Sequence, residues 1–260
     1  MFNNHPLIRV DNKVFLEQLQ QGELFMRNSL YYNSGDSTDT VRTDKFDGSY
    51  PTDSIKSFLN QDLYNFNPQN SRIMMIDTFV KCFFHYYPKD AEKYGRTGIR
   101  YRLSDLSRKE LSSFNSDSVM IIFDTKAFYT QFETACQQQN IEYNYCDVAY
   151  LSEDERNKES MKLINFNLNT LNPAFVKEKS FSYQQEFRLY IKNQLDNVTE
   201  HITENGTPYF FIPKETAKQS VTINIGNISE YSAIISFDEF VNSNFLFDSK
   251  NKVYAFERLS

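Results

Sequence analysis

The stretch from Lys179 to Ile191, KSFSYQQEFRLYI, constrains the fold more than any other part of the chain. Strand side chains alternate between two faces. Read as a strand, this stretch puts Phe187, Leu189 and Ile191 on one face and Glu186, Arg188 and Tyr190 on the other. The first face needs an apolar layer beneath it. The second carries a carboxylate, a guanidinium and a phenol, which form either a buried ion pair or part of a site.

Patterning places further elements around it. Val14 to Gln21 reads as a short helix ended by Gly22, and Glu23 to Tyr32 reads as extended. A polar, acidic loop follows from Asn33 to Ser54, longer than compact domains usually carry. A strand is expected at Phe79 to Phe84, then a charged connection from Lys89 to Arg102 and a helix over Leu103 to Ser113. Val119 to Phe123 reads as a buried strand. Asp124 or Thr125 caps a helix over Lys126 to Gln139, with Ala127, Phe128, Phe132 and Cys136 as its apolar stripe. Ile141 to Leu151 alternates as a strand, and Ser152 caps a helix reaching about Phe166. Short strand-like runs follow at Tyr209–Ile212, Val221–Ile225, Ala233–Phe237 and Val253–Phe256, with a helical turn set between Asp238 and Phe245. Helices early and strands late predict an α+β fold with a mixed, mainly antiparallel sheet. The expected organisation is a single domain over 1–260, strand-rich from about residue 180.

Composition narrows the function classes. With 24 Phe, 17 Tyr and no Trp, the core is expected to be built from rings. A net charge of −6 argues against general nucleic-acid binding unless positive charge is locally focused. Cys82, Cys136 and Cys146 have no paired spacing and read as three buried thiols in a reducing cytoplasm. No segment resembles a signal peptide or a membrane span, so a cytoplasmic protein with no membrane partner is expected. A Gly-x-Gly-x-x-Gly run, a P-loop, a Gly-x-Ser-x-Gly elbow and a His-Glu-x-x-His pair are all missing from the sequence. His85, inside CFFHYY, reads as a core or sheet-face histidine.

Glu186 is the leading catalytic candidate, set against a strand-face ion pair with Arg188. The acidic loop supplies Asp36, Asp39, Asp44 and Asp47, with Arg42 among them. Carboxylates at i and i+3 can approach a divalent cation, though the spacing is not that of a calcium loop. Arg42 can instead clamp a phosphate. The alternative is a solvated polar loop.

The order of segments resembles a large family of bacterial and phage proteins, known as a domain of unknown function and linked to defence and abortive-infection loci. The resemblance covers about residues 13 to 192. It rests on LQQGELFMRNSLYYN from Leu19 to Asn33, on Cys82-Phe83, on Ile121 to Asp124 and on Val148-Ala-Tyr150. It ends on Phe175-Val-Lys177 and on Gln184 to Arg188. The family's early Asn-Asp-Pro turn is absent here, and Gln184 stands where the family has the first Glu of its late pair. The layout also resembles ADP-ribosyltransferases, which place one Glu on a core strand, an Arg or His early, and rings around a nicotinamide. That resemblance implies NAD as cofactor. It implies Glu186 in the role of the core-strand Glu, Arg27 or Arg42 in that of the early Arg, and Tyr31 or Tyr32 stacking on the ring. With the acidic loop and the polar strand face, the expected catalytic set is Glu186, Arg42 and Asp44, and the expected cofactor residues are Arg27, Tyr31, Tyr32, Arg188 and Tyr190. The expectation is a transferase of host–phage conflict with a nucleotide ligand or a protein partner. Two other readings stand beside it: a metal-dependent nuclease using Asp44, Asp47 and Glu186, and a non-catalytic protein-binding or sensor module.

Overall fold

A computed structural model describes residues 5–29, 31, 49–51, 72–74, 78–112, 114, 116–164, 171–192, 199–202, 208–211, 219–248, 250 and 253–259. In chain order the first elements are β1 (Leu7–Asp11), α1 (Lys13–Gln20) and β2 (Glu23–Asn28). Next come β3 (Ser49–Pro51), β4 (Arg72–Met74), β5 (Thr78–His85), β6 (Ala91–Tyr94) and β7 (Gly98–Tyr101). The middle holds α2 (Asp105–Ser112), β8 (Ser118–Ile122), α3 (Thr125–Gln138), β9 (Glu142–Asp147), β10 (Ala149–Leu151) and α4 (Glu153–Ile164). Then follow β11 (Val176–Glu178), β12 (Glu186–Lys192), β13 (Thr199–Ile202), β14 (Pro208–Phe211) and β15 (Ser220–Asn224). The last are β16 (Ser232–Ser236), α5 (Phe237–Val241), β17 (Ser243–Asp248) and β18 (Val253–Arg258). Among the described residues strand pairing is antiparallel except between β10 and β11, and the fold is α+β with mainly antiparallel sheets.

The central sheet has eight strands and is forked. β5 pairs along its length with β12, and β12 with β9. On its other edge β5 meets two strands. β2 pairs only at Phe79 and Val80, and β1 only at Phe84 and His85. Each then leaves: β1 pairs with β8, and β8 with β16, while β2 pairs with β15.

One face of this sheet is covered by α1 and α3. Leu16 and Leu19 from α1 and Phe128, Phe132 and Cys136 from α3 pack on Leu24, Met26, Phe83, Phe187, Leu189 and Ile191. α3 starts where Asp124 Oδ1 accepts a hydrogen bond from the Ala127 N–H at 3.1 Å. It stops before Asn140, which turns left-handed at φ 54°. The ring-rich core is visible around Phe187, whose ring stacks on Tyr129 with centroids 5.4 Å apart.

The opposite face is covered by the four-stranded sheet β18-β17-β7-β6, with α5 and α2. Tyr101, Phe245 and Phe247 press onto Ile8, Val10, Phe84 and Ile121 there. β6 and β7 form a hairpin within Lys89 to Arg102, where a plain connection was expected. Its charges are used on the strand surfaces, since Arg100 bridges Glu92 and Glu257, each at 2.7 Å. β17 takes Phe245 out of the expected helical turn, because a five-residue helix, α5, already ends at Val241.

Two other elements differ from the sequence reading. The expected strand Ile141–Leu151 breaks at Val148, whose N–H turns to the Glu186 carbonyl at 2.8 Å, freeing β10 to pair with β11. Lys179 to Gln184 is a 3-10 helix, and the strand begins only at Glu186. The Phe181/Tyr183 alternation imitates a strand there. The local bond from Ser180 Oγ to Glu178 Oε1 at 3.0 Å favours a turn instead.

Candidate functional site

β5 is TFVKCFFH, an apolar strand with one lysine at its middle. Lys81 lies between the two pairing points of the fork, so on that edge neither β1 nor β2 pairs with it. A cavity of about 560 Å³ opens in the gap. Its walls come from β1 (Arg9, Asp11), β2 (Phe25, Arg27), α2 (Glu110), β11 (Lys177) and β12 (Glu186), with Lys81 from β5 and Tyr31 after β2. Arg9 braces the open edge. One of its terminal nitrogens donates to the Cys82 carbonyl at 2.9 Å, supplying a partner where a strand is missing, and the other pairs with Asp11 at 2.7 Å. Burial raises the Asp11 carboxyl, but Arg9's charge and hydrogen bond outweigh it and hold the group below its ordinary value.

Arg27 and Lys81 are the two cations here that are not consumed internally. Among the described residues neither the Arg27 guanidinium nor the Lys81 amine makes a hydrogen bond or an ion pair. Arg27 instead lies over the Tyr31 ring, 4.1 Å from its centroid, and 5.4 Å from that of Phe25. Lys81 is brought down to about 7 by burial and then by Arg9's charge, with Arg27 adding to the effect and Asp11 opposing it.

Glu186 closes the cavity on the side away from Arg27. It is buried, with one oxygen 2.6 Å from Arg188 Nε and the other 2.8 Å from Lys177 Nζ. Burial raises its carboxyl, but the charges of Arg188 and Lys177, with hydrogen bonds from Arg188 and the Cys82 thiol, hold it well below the usual carboxylate range. The 3-10 turn builds this cluster. It folds Lys177 back to within 2.5 Å of Gln184 Oε1 and onto Glu186. An extended chain over the same nine residues would have held the two about 30 Å apart. Gln185, left-handed at φ 42°, completes the return, its side chain donating to Asp90 at 2.7 Å. One carboxylate with two buried cations leaves a net positive charge at this wall.

The expected site residues fall into three groups. Glu186, Arg27 and Tyr31 line the same cavity. Arg188 and Tyr190 share Glu186's strand face but are not among the lining residues. Arg188 is spent on Glu186 and on the Ala174 carbonyl at 2.6 Å, and Tyr190 packs on Phe175 with ring centroids 5.8 Å apart. Arg42, Asp44, Asp47 and Tyr32 lie outside the described residues. The sequence reading gave no site role to Lys81, Arg9 or Lys177, although the family resemblance ran through Phe175-Val-Lys177. A single lysine inside an apolar strand was a readable signal for the first. Nothing local marks Arg9, and only that phrase marks Lys177, because a fork and a turn bring them in.

Elsewhere, His85 Nδ1 lies 2.7 Å from Asp147 Oδ1. None of the three cysteines is in a disulfide; Cys136 is buried, whereas Cys82 and Cys146 are only partly so. Among the described residues no group of His, Cys, Asp and Glu is arranged to hold a metal, and no helix is long and apolar enough to cross a membrane. Compared with family models, curated proteins and solved structures, the chain matches none.

Proposed function

We propose that the fork cavity binds a nucleotide-type ligand and that the protein is a nucleotide- or NAD-using transferase of bacterial host–phage conflict. One observation carries the reading: Glu186, more than 150 residues from Arg27 and Tyr31, lines one cavity with them and with Lys81. Its volume falls in the range of small-molecule sites, about 300–1,000 Å³. Its signs are mixed. Arg27 and Lys81 suit a pyrophosphate, while Glu23 and Glu110 suit a cationic group. NAD carries both, a pyrophosphate and a positively charged nicotinamide ring. The Phe25–Arg27–Tyr31 stack offers planar groups against which a base can lie. Glu186, held ionised, accepts a hydrogen bond from a ribose or acceptor hydroxyl rather than moving a proton. The role in host–phage conflict rests on the family resemblance over residues 13 to 192.

The test is release of nicotinamide from NAD by the purified protein, with and without candidate acceptor proteins. The reading expects release that falls at least about tenfold in Arg27→Ala, a cavity-wall change that breaks no ion pair. No release and no NAD binding by folded wild-type protein would overturn it. A sensor module has one observation in its favour, the engagement of both Glu186 oxygens by Lys177 and Arg188. It expects NAD or nucleotide binding with no turnover.

A further inference from the structure

We infer that Lys81 is a reactive amine that condenses with the carbonyl group of a phosphate-bearing aldehyde or ketone held in the fork cavity. Three observations of geometry lead there. Lys81 is the one charged residue of β5, at the point where β1 and β2 part. Its amine has no hydrogen-bond or ion-pair partner among the described residues, although a strand interior would normally demand one. Arg27, on the β2 arm of the fork, lines the same cavity, is likewise uncommitted and lies near enough for its charge to act on Lys81, so a phosphate bound there would hold a carbonyl near the amine.

Protonation supports the geometry. Burial and the Arg9 charge bring Lys81 to about 7, so a large share is the nucleophilic free amine at neutral pH. In the step itself the nitrogen lone pair attacks the carbonyl carbon, and the carbonyl π pair goes to oxygen, giving a carbinolamine. The oxygen then leaves as water with both amine hydrogens, and a carbon–nitrogen double bond replaces the carbon–oxygen one. No oxidant or further reactant is needed.

The inference rests on the cavity being an anion site, as proposed above, but not on NAD being its donor. Pyridoxal 5′-phosphate is a suitable probe, because it joins an aldehyde to a phosphate. The full chain is incubated with it at pH 7.5, reduced with borohydride and mapped by mass spectrometry. The expected result is an adduct on Lys81 ahead of every other lysine, absent in Lys81→Met. Labelling at that position is expected to fall about tenfold with pyridoxal lacking the phosphate, and about as much in Arg27→Ala. Labelling spread over surface lysines with Lys81 no faster, or indifference to the phosphate, overturns the inference. Protection of Lys81 by NAD distinguishes the two proposals. An Lys81 adduct that NAD does not compete with, in a protein that does not bind NAD, keeps the amine and removes the NAD reading. NAD binding with no Lys81 adduct does the reverse.

Discussion

Lys81 is a half-buried charge and Glu186 a buried one, and the fold treats them in opposite ways. The unfolded Lys81 amine holds its proton up to about 10.5, and the folded one only to about 7. Between those values the unfolded chain binds more protons, so this residue's contribution to stability rises with pH, and its full cost is felt below 7. The groups that set it are Arg9 and Asp11 on β1, Arg27 on β2 and Cys82 beside it. Replacing Lys81 with Met is expected to stabilise the protein by ~1–3 kcal/mol, a few degrees in melting midpoint, at pH 6 to 7. The gain should close as pH approaches 10.5, which thermal melts across that range would check. Glu186 behaves conversely. Its folded value is depressed, so its stabilisation is present above the ordinary carboxylate range and is lost as pH falls. Glu186→Gln strands Lys177 and Arg188 without their counter-charge and is expected to cost ~3–5 kcal/mol at pH 7, read by urea unfolding. An adjoining Lys177→Met change should recover part of that loss. The alternation that put Glu186 and Arg188 on one face was legible from sequence, because period 2 is a local property. Lys177 as the third member was not, because its approach depends on the left-handed turn at Gln185 and the 3-10 segment before it.

The fork depends on how α1 and β2 are joined to β15. Gly22 turns at φ 104°, and its carbonyl accepts from Ile225 N at 2.9 Å. A Cβ on Gly22 would lie 2.6 Å from the Gly226 carbonyl oxygen, a backbone atom that has no rotamer to escape into. Gly22→Ala is therefore expected to cost ~2 kcal/mol or more and to loosen the β2–β15 arm, which faster amide exchange along Leu24 and Met26 would report. Asp124→Ala removes the cap of α3 and should cost ~1 kcal/mol without touching the cavity. Capped helices and apolar strands such as α3 and β5 were readable because their signals lie within a few residues. The β6–β7 hairpin was hidden because its apolar residues are few and its charges pair across strands, and β17 because Phe245 sits directly after a helix-like run.

At the scale of the molecule, the sequence supports an α+β class but not the forked sheet. β1 and β2 are only about a dozen residues apart, and nothing in either says that both will dock on one edge of β5 and leave a gap at Lys81. The gap exists because β8 and β15 offer β1 and β2 longer partners than β5 does. The account's central claim is that this gap is a nucleotide site. Titration calorimetry of NAD into wild type and Arg27→Ala at pH 7.5 tests it most directly. The prediction is one site of ~micromolar affinity in wild type, weakened at least about tenfold in the variant while both remain folded. An absence of binding in folded wild type, or equal affinity in the two proteins, would contradict it.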